Sequence, residues 1–158
     1  MELTFENFLE QVKDEQKAAI DKIHQSMITD GYKVRIVKNA TGPFMAYSHP
    51  GTKRSMLNLF FRKNALNARI YADNYKSYVD FIAGFPQDLE AQVAKAVNCK
   101  RFLSAPQCSD SCAAGYDILI GENRYQKCRY SCFQFVVCEK SLPIIADFVE
   151  LEKKLRKK

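Results

Sequence analysis

Apolar residues recur at helical spacing near the N-terminus, first Phe5, Phe8, Leu9 and Val12, then Ala19, Ile20, Ile23 and Met27. This spacing predicts a short amphipathic helix followed by a longer one. Thr4 and Asp14 suit the two N-caps, and Asp30-Gly31 ends the second helix with glycine in its usual place. At Tyr32 the period changes to two. Val34 and Ile36 alternate with Lys33 and Arg35, Asn39 to Pro43 reads as a turn, and Phe44 to Tyr47 as a second short strand before the turn Ser48-His49-Pro50-Gly51. Ser55 to Arg62 and Leu66 to Asp73 form the clearest hairpin, around Lys63-Asn64-Ala65. In it Leu57, Leu59 and Phe61 share one face with Leu66, Ala68, Ile70 and Ala72, and Met56, Asn58 and Phe60 share the other with Asn67, Arg69 and Tyr71.

Helical spacing returns from Tyr75 to Ala83, breaks at Gly84-Phe85-Pro86, and resumes with Leu89, Val93, Ala96 and Val97. After an irregular stretch from Lys100 to Gln107, Tyr116, Ile118 and Ile120 alternate with Asp117 and Leu119. Gly121-Glu122-Asn123 then supplies turn chemistry for a second hairpin, and Gly121 opposite Arg124 would set Asp117 against Cys128. Phe133 to Val137, nearly all apolar, reads as a central strand. Ser141 caps a last helix with Pro143 in its first turn and Ile144, Ile145, Phe148, Val149 and Leu151 turned largely inward. The pattern predicts an α+β fold: an antiparallel β-sheet of five to seven strands packed against helices mainly on one face, with a cysteine-bearing β-hairpin. The length of 158 residues and 47% hydrophobic composition fit one domain over 1–158 with no internal repeat or linker.

The net charge of +6 suggests nucleic acid until its placement is considered. Five positive charges lie in the basic tail at 153–158, which leaves +1 for the rest. Cations there suit the end of a helix, so the distribution argues against nucleic acid as a partner, and the tail beyond Leu151 is expected to be dispensable for folding. The acidic, polar opening and the absence of a long apolar run imply no signal peptide, no membrane partner and a cytoplasmic location.

In a reducing compartment six cysteines point to metal or burial rather than disulfides. Four of them form two CxxxC pairs, Cys108 with Cys112 and Cys128 with Cys132, on either side of the second hairpin. Four thiolates at a hairpin base suit tetrahedral zinc, and the expected register sets Cys112 beside Cys132. An extended strand would place residues four apart at about 13 Å, whereas two sulfurs on one zinc lie within about 4.6 Å of each other. Both pairs must therefore bend, which Ser109-Asp110-Ser111 favours and Arg129-Tyr130-Ser131 does not. The competing arrangement is one continuous strand from Cys128 to Cys138 with its cysteines packed as small apolar residues, and redox or disulfide chemistry is a third. Cys99 and Cys138 are not expected to bind the metal.

The order of parts, a leading helix pair, the hairpin SMLNLFFRKNALNARIYAD and the closing SLPIIADFVELEKKLR, loosely resembles small uncharacterised bacterial YdhG-type α+β domains. The resemblance implies an antiparallel sheet packed against helices and carries no activity.

The chain has no phosphate-cradling glycine loop, GxSxG elbow or HExxH helix; His24 lies beside the buried stripe of its helix and is assigned no role, and His49 has no cysteine or carboxylate near it in sequence. The reading is a regulatory or binding module with a structural zinc, recognising a small molecule or a protein partner through a half-polar sheet face at Asn58, Phe60, Arg69 and Tyr71. One alternative is a thiol- or zinc-dependent enzyme, in which Lys127 and Arg129 would stabilise neighbouring thiolates. Another is nucleic-acid binding through the basic tail and Lys100-Arg101.

Overall fold

A computed structural model describes residues 3–103, 112 and 114–156 of the chain. Helix α1 (Phe5–Glu10) opens with a reciprocal cap in which Thr4 Oγ1 accepts from the Asn7 N–H and Asn7 Oδ1 accepts from the Thr4 N–H. Helix α2 (Asp14–Thr29) is capped by Lys13 rather than Asp14, and Asp14 and Glu15 instead place carboxylates in its first turn. Its buried stripe includes Ile20, Ile23 and Met27, and Gly31 leaves it at φ +81°.

Five strands make the main sheet: β1 (Lys33–Asn39), β2 (Gly42–Ser48), β3 (Ser55–Arg62), β4 (Ala65–Ile70) and β7 (Gln134–Val136), paired antiparallel in that order. Between β4 and β7 come a 3₁₀ turn (Tyr75–Ser77), α3 (Val79–Ala83), α4 (Gln87–Lys95) and the hairpin β5 (Tyr116–Ile120) with β6 (Asn123–Lys127), and α5 (Ser141–Arg156) follows. The register carries Ile36, Met45, Leu59, Ala68 and Phe135 across one face in a single row, all buried. Residues from the helices, among them Phe8, Ile20, Phe85 and Phe148, join the same core. The α+β class and the antiparallel sheet are therefore as the alternation predicted.

Three local expectations are corrected. The continuous strand from Cys128 to Cys138, the arrangement competing with the metal site, does not form: the Cys128 carbonyl accepts from the amides of Ser131 and Cys132, which makes a turn. Strand β7 is thereby short, and it lies at the sheet edge rather than the centre. Gln92 of α4 accepts from the outward Val136 N–H at 2.8 Å, satisfying a donor that an edge leaves open. The second hairpin uses the two-residue turn Gly121-Glu122 with Gly121 at φ +59°, so Ile120 pairs with Asn123 and Asp117 with Gln126, not Cys128. The turn expected from Gly121 opposite Arg124 has the same length, but placing it one residue earlier puts Gly121 at the position of positive φ, where a tight turn of this hand matches the twist of its strands.

The tail is the third correction. Lys153 is 1% exposed and Arg156 8%. Lys153 Nζ bonds Asp30 at 2.8 Å, Glu150 at 3.0 Å and Ser26, where α2 ends and a cation is favoured by the helix dipole. Arg156 Nε meets the fully buried Glu152 at 2.6 Å, and its other nitrogens donate to the carbonyls of Ser55 and Tyr71 and to Asp73. These residues are part of the fold, not a dispensable appendage.

Candidate functional site

The outer face of the main sheet brings together the four residues singled out from the alternation. Asn58 and Arg69 are directly paired across β3 and β4, and Phe60 pairs with Asn67. The Arg69 guanidinium lies over the Phe60 ring at 4.9 Å, a cation–π contact, while Nε and Nη2 donate to Gln134 Oε1 at 3.2 and 2.9 Å. Phe44 of β2 lies beside Phe60, ring centres 6.1 Å apart. Asn58 Nδ2 donates to the Tyr71 hydroxyl at 3.3 Å, and the Tyr71 ring meets exposed Tyr130 edge-on. Asn58 is 6% exposed, yet its Oδ1 has no hydrogen-bond partner among the described residues. Exchanging the amide's oxygen and nitrogen would only move the deficit to the other atom.

Toward β7 this face leads to a cleft of about 530 Å³ beside the end of α4, lined in part by Arg62, Lys63, Asn67, Lys95 and Gln134 and, among the described residues, by no carboxylate. Neither the cleft cations nor Lys33 and Arg35 were singled out from the sequence. The signal was present: from Gly31 to Ala72 the chain carries eight lysines and arginines and not one aspartate or glutamate.

The cysteines do not reproduce the expected cluster. Cys108 lies outside the described residues. The turn at Arg129-Tyr130-Ser131 supplies the bend that these residues were not expected to make. However, Cys132 is fully buried in the hydrophobic core, where burial pushes its thiol far up. Cys112 and Cys128 are half-buried, and the register that set Cys112 beside Cys132 does not form. Among the described residues no three histidine, cysteine, aspartate or glutamate side chains are grouped to hold a metal ion, so the described donors alone do not make the zinc site. Cys99, buried against Gly115, accepts from its N–H at 3.3 Å.

The cations flanking Cys128 serve other groups. Lys127 Nζ donates to the Ala94 and Ala96 carbonyls and to Asn98 Oδ1, closing the C-terminus of α4. Arg129 is paired with Asp73, which also takes two bonds from Arg54. Burial alone would raise the Asp73 carboxyl, but the Arg54 hydrogen bond and the charges of Arg156, Arg129 and Arg54 hold it below its usual range. Around this centre Glu152 accepts from Asn74 and from the Tyr78 hydroxyl at 2.6 Å. The cluster ties α5 to the ends of β3 and β4 and is structural in geometry, since every carboxylate in it is already paired.

His24 is packed rather than poised for chemistry: it stacks on Phe5 at 3.7 Å, and its Nδ1 lies 2.8 Å from the Tyr47 hydroxyl. His49 Nδ1 accepts from the Gly51 and Thr52 amides and organises its loop. No helix among the described residues is long and apolar enough to cross a membrane. No protein-family model, curated protein or solved structure matches the chain.

Proposed function

We propose that the protein is a binding module that takes a small molecule or a segment of a protein partner on the outer sheet face at Asn58, Phe60, Arg69 and Tyr71. The observation that carries this is Asn58 Oδ1, unpartnered among the described residues, on a face where the neighbouring Arg69 and Tyr71 are braced. A buried amide atom without a partner destabilises by about 1–3 kcal/mol, and a ligand donor that reaches it recovers that loss. NMR shift mapping with a panel of mononucleotides, organic phosphates and amino acids tests the reading. Shifts at residues 58, 60, 69 and 71 that vanish in Arg69→Ala are expected, whereas shifts confined to other surfaces would overturn it.

The structural zinc at Cys108, Cys112, Cys128 and Cys132 belongs to the same proposal. It is supported by the turn that brings Cys128 and Cys132 onto one bend, and it requires the core sulfur of Cys132 to form one wall of the site. Elemental analysis tests it directly: one zinc per chain is expected, and metal-free protein as purified under reducing conditions removes the zinc without touching the binding face.

A further inference from the structure

We propose that the occupant of the outer sheet face is single-stranded nucleic acid, an inference that rests on the binding-face reading. The first ground is charge. Lys33, Arg35, Arg62, Lys63 and Arg69 border or lie on this face, and none of them is in an ion pair among the described residues, whereas Arg54, Arg129, Lys153 and Arg156 all are. The tail that seemed to hold the surplus charge is thus partly neutralised inside the fold, and uncompensated charge is left on the sheet. Arg35 and Arg69 share one row of the register, three strand spacings apart. That distance is roughly 14 Å at about 4.8 Å per strand, and the cations of the cleft lie further along. A single phosphate does not engage cations so widely spaced, but a polyanionic strand does.

The second ground is the interleaving of rings with these charges. Phe44 and Phe60 sit side by side in the row next to Arg35 and Arg69, and all of these but exposed Arg35 are half-buried, with one side in the sheet. The Arg69 guanidinium already lies over Phe60, and partly buried rings flanked by cations in this way suit unpaired bases, which stack on an aromatic face or a guanidinium plane while their phosphates meet lysine and arginine. In a duplex the base faces are occupied by one another, so the rings favour a single strand. The third ground is Asn58: its buried Oδ1, beside Tyr71, has no partner among the described residues, and in this orientation of the amide it matches the exocyclic amino group of a base.

The test is fluorescence anisotropy of the full chain with a labelled mixed-sequence 20-nucleotide single strand, RNA or DNA, and the corresponding duplex. Single strands are expected to bind at 50 mM salt, with log Kd rising against log salt with a slope of about 3.5 for five engaged cations. Arg35→Gln, at an exposed position, should lower that slope by about 0.7. Phe44→Ala should weaken binding by about tenfold, with thermal unfolding as the check on its fold. Lys154→Ala, on the outside of α5, should change nothing. Equal binding of the duplex, equal binding of a polyglutamate peptide, or loss of binding in Lys154→Ala but not in the face variants would each overturn the inference. If no oligonucleotide binds while small molecules of the panel still shift residues 58, 60, 69 and 71, this inference fails and the binding face stands. If nothing shifts that face, both fail.

Discussion

Replacing Arg156 by alanine removes a guanidinium held on several sides by groups from distant parts of the chain. Its Nε pairs with Glu152 at 2.6 Å, Nη2 lies 3.1 Å from Asp73, and the carbonyls of Ser55 and Tyr71 accept at 3.1 and 2.8 Å. Glu152 is fully buried and, among the described residues, keeps only the neutral donors of Asn74 and Tyr78 once the arginine is gone. Breaking a buried pair from one side costs about 3–5 kcal/mol, because the remaining charge is left without compensation. That is a large fraction of the roughly 5–15 kcal/mol by which a domain is stable. With about 2–4 °C per kcal/mol for a chain of this size, the melting temperature should fall by roughly 6–20 °C. Urea and thermal unfolding followed by circular dichroism measure the loss, with exposed Lys154→Ala as a control expected within about 0.5 kcal/mol of the parent protein. Combining Arg156→Ala with Glu152→Gln should destabilise by less than the sum of the two, since the second change removes the stranded charge. A loss under about 1 kcal/mol, or strict additivity, would refute the reasoning and restore the view of the tail as dispensable.

Two further outcomes follow from burial and protonation. Cys138 is exposed; burial raises its thiol somewhat, but hydrogen bonds from Ser141 and Lys140 outweigh this and lower it, so it should react with iodoacetamide well before Cys132, and the reverse order would contradict the structure. Burial lowers the His24 pKa below 6.5, against the opposing charges of Asp21 and Glu6. The unfolded chain therefore takes up a proton first, and the His24 contribution to stability is complete above pH 6.5 and lost as pH falls through that value toward the folded pKa. Urea midpoints should decline in this window and flatten in His24→Gln; an unchanged slope in the variant would place the titration elsewhere.

The face that carries the proposed function was legible because β3 and β4 are joined by a short turn. Alternation within each strand and the local pairing between them suffice to put Asn58, Phe60, Arg69 and Tyr71 on one side. The helices were legible for a similar reason, since an apolar stripe at 3.6-residue spacing has one face to bury. Gln134, which braces Arg69 from 65 positions away, was not, and neither was the edge position of β7. Their places depend on a turn at Cys128–Cys132 that residue preferences disfavour and that burial of Cys132 and Phe133 in the core accompanies. Charge was least legible of all. Lys153 and Arg156 look like solvated ends of a basic run, and although Glu152 lies one turn before Arg156 on the same helix, their fate is set by Asp30 and Asp73, which meet them through the packing of α5 against α2 and the sheet. Apolar periodicity acts over a few residues and can be read along the chain, but an ion pair forms wherever the packed elements leave two opposite charges within about 4 Å, a separation that no spacing in sequence specifies.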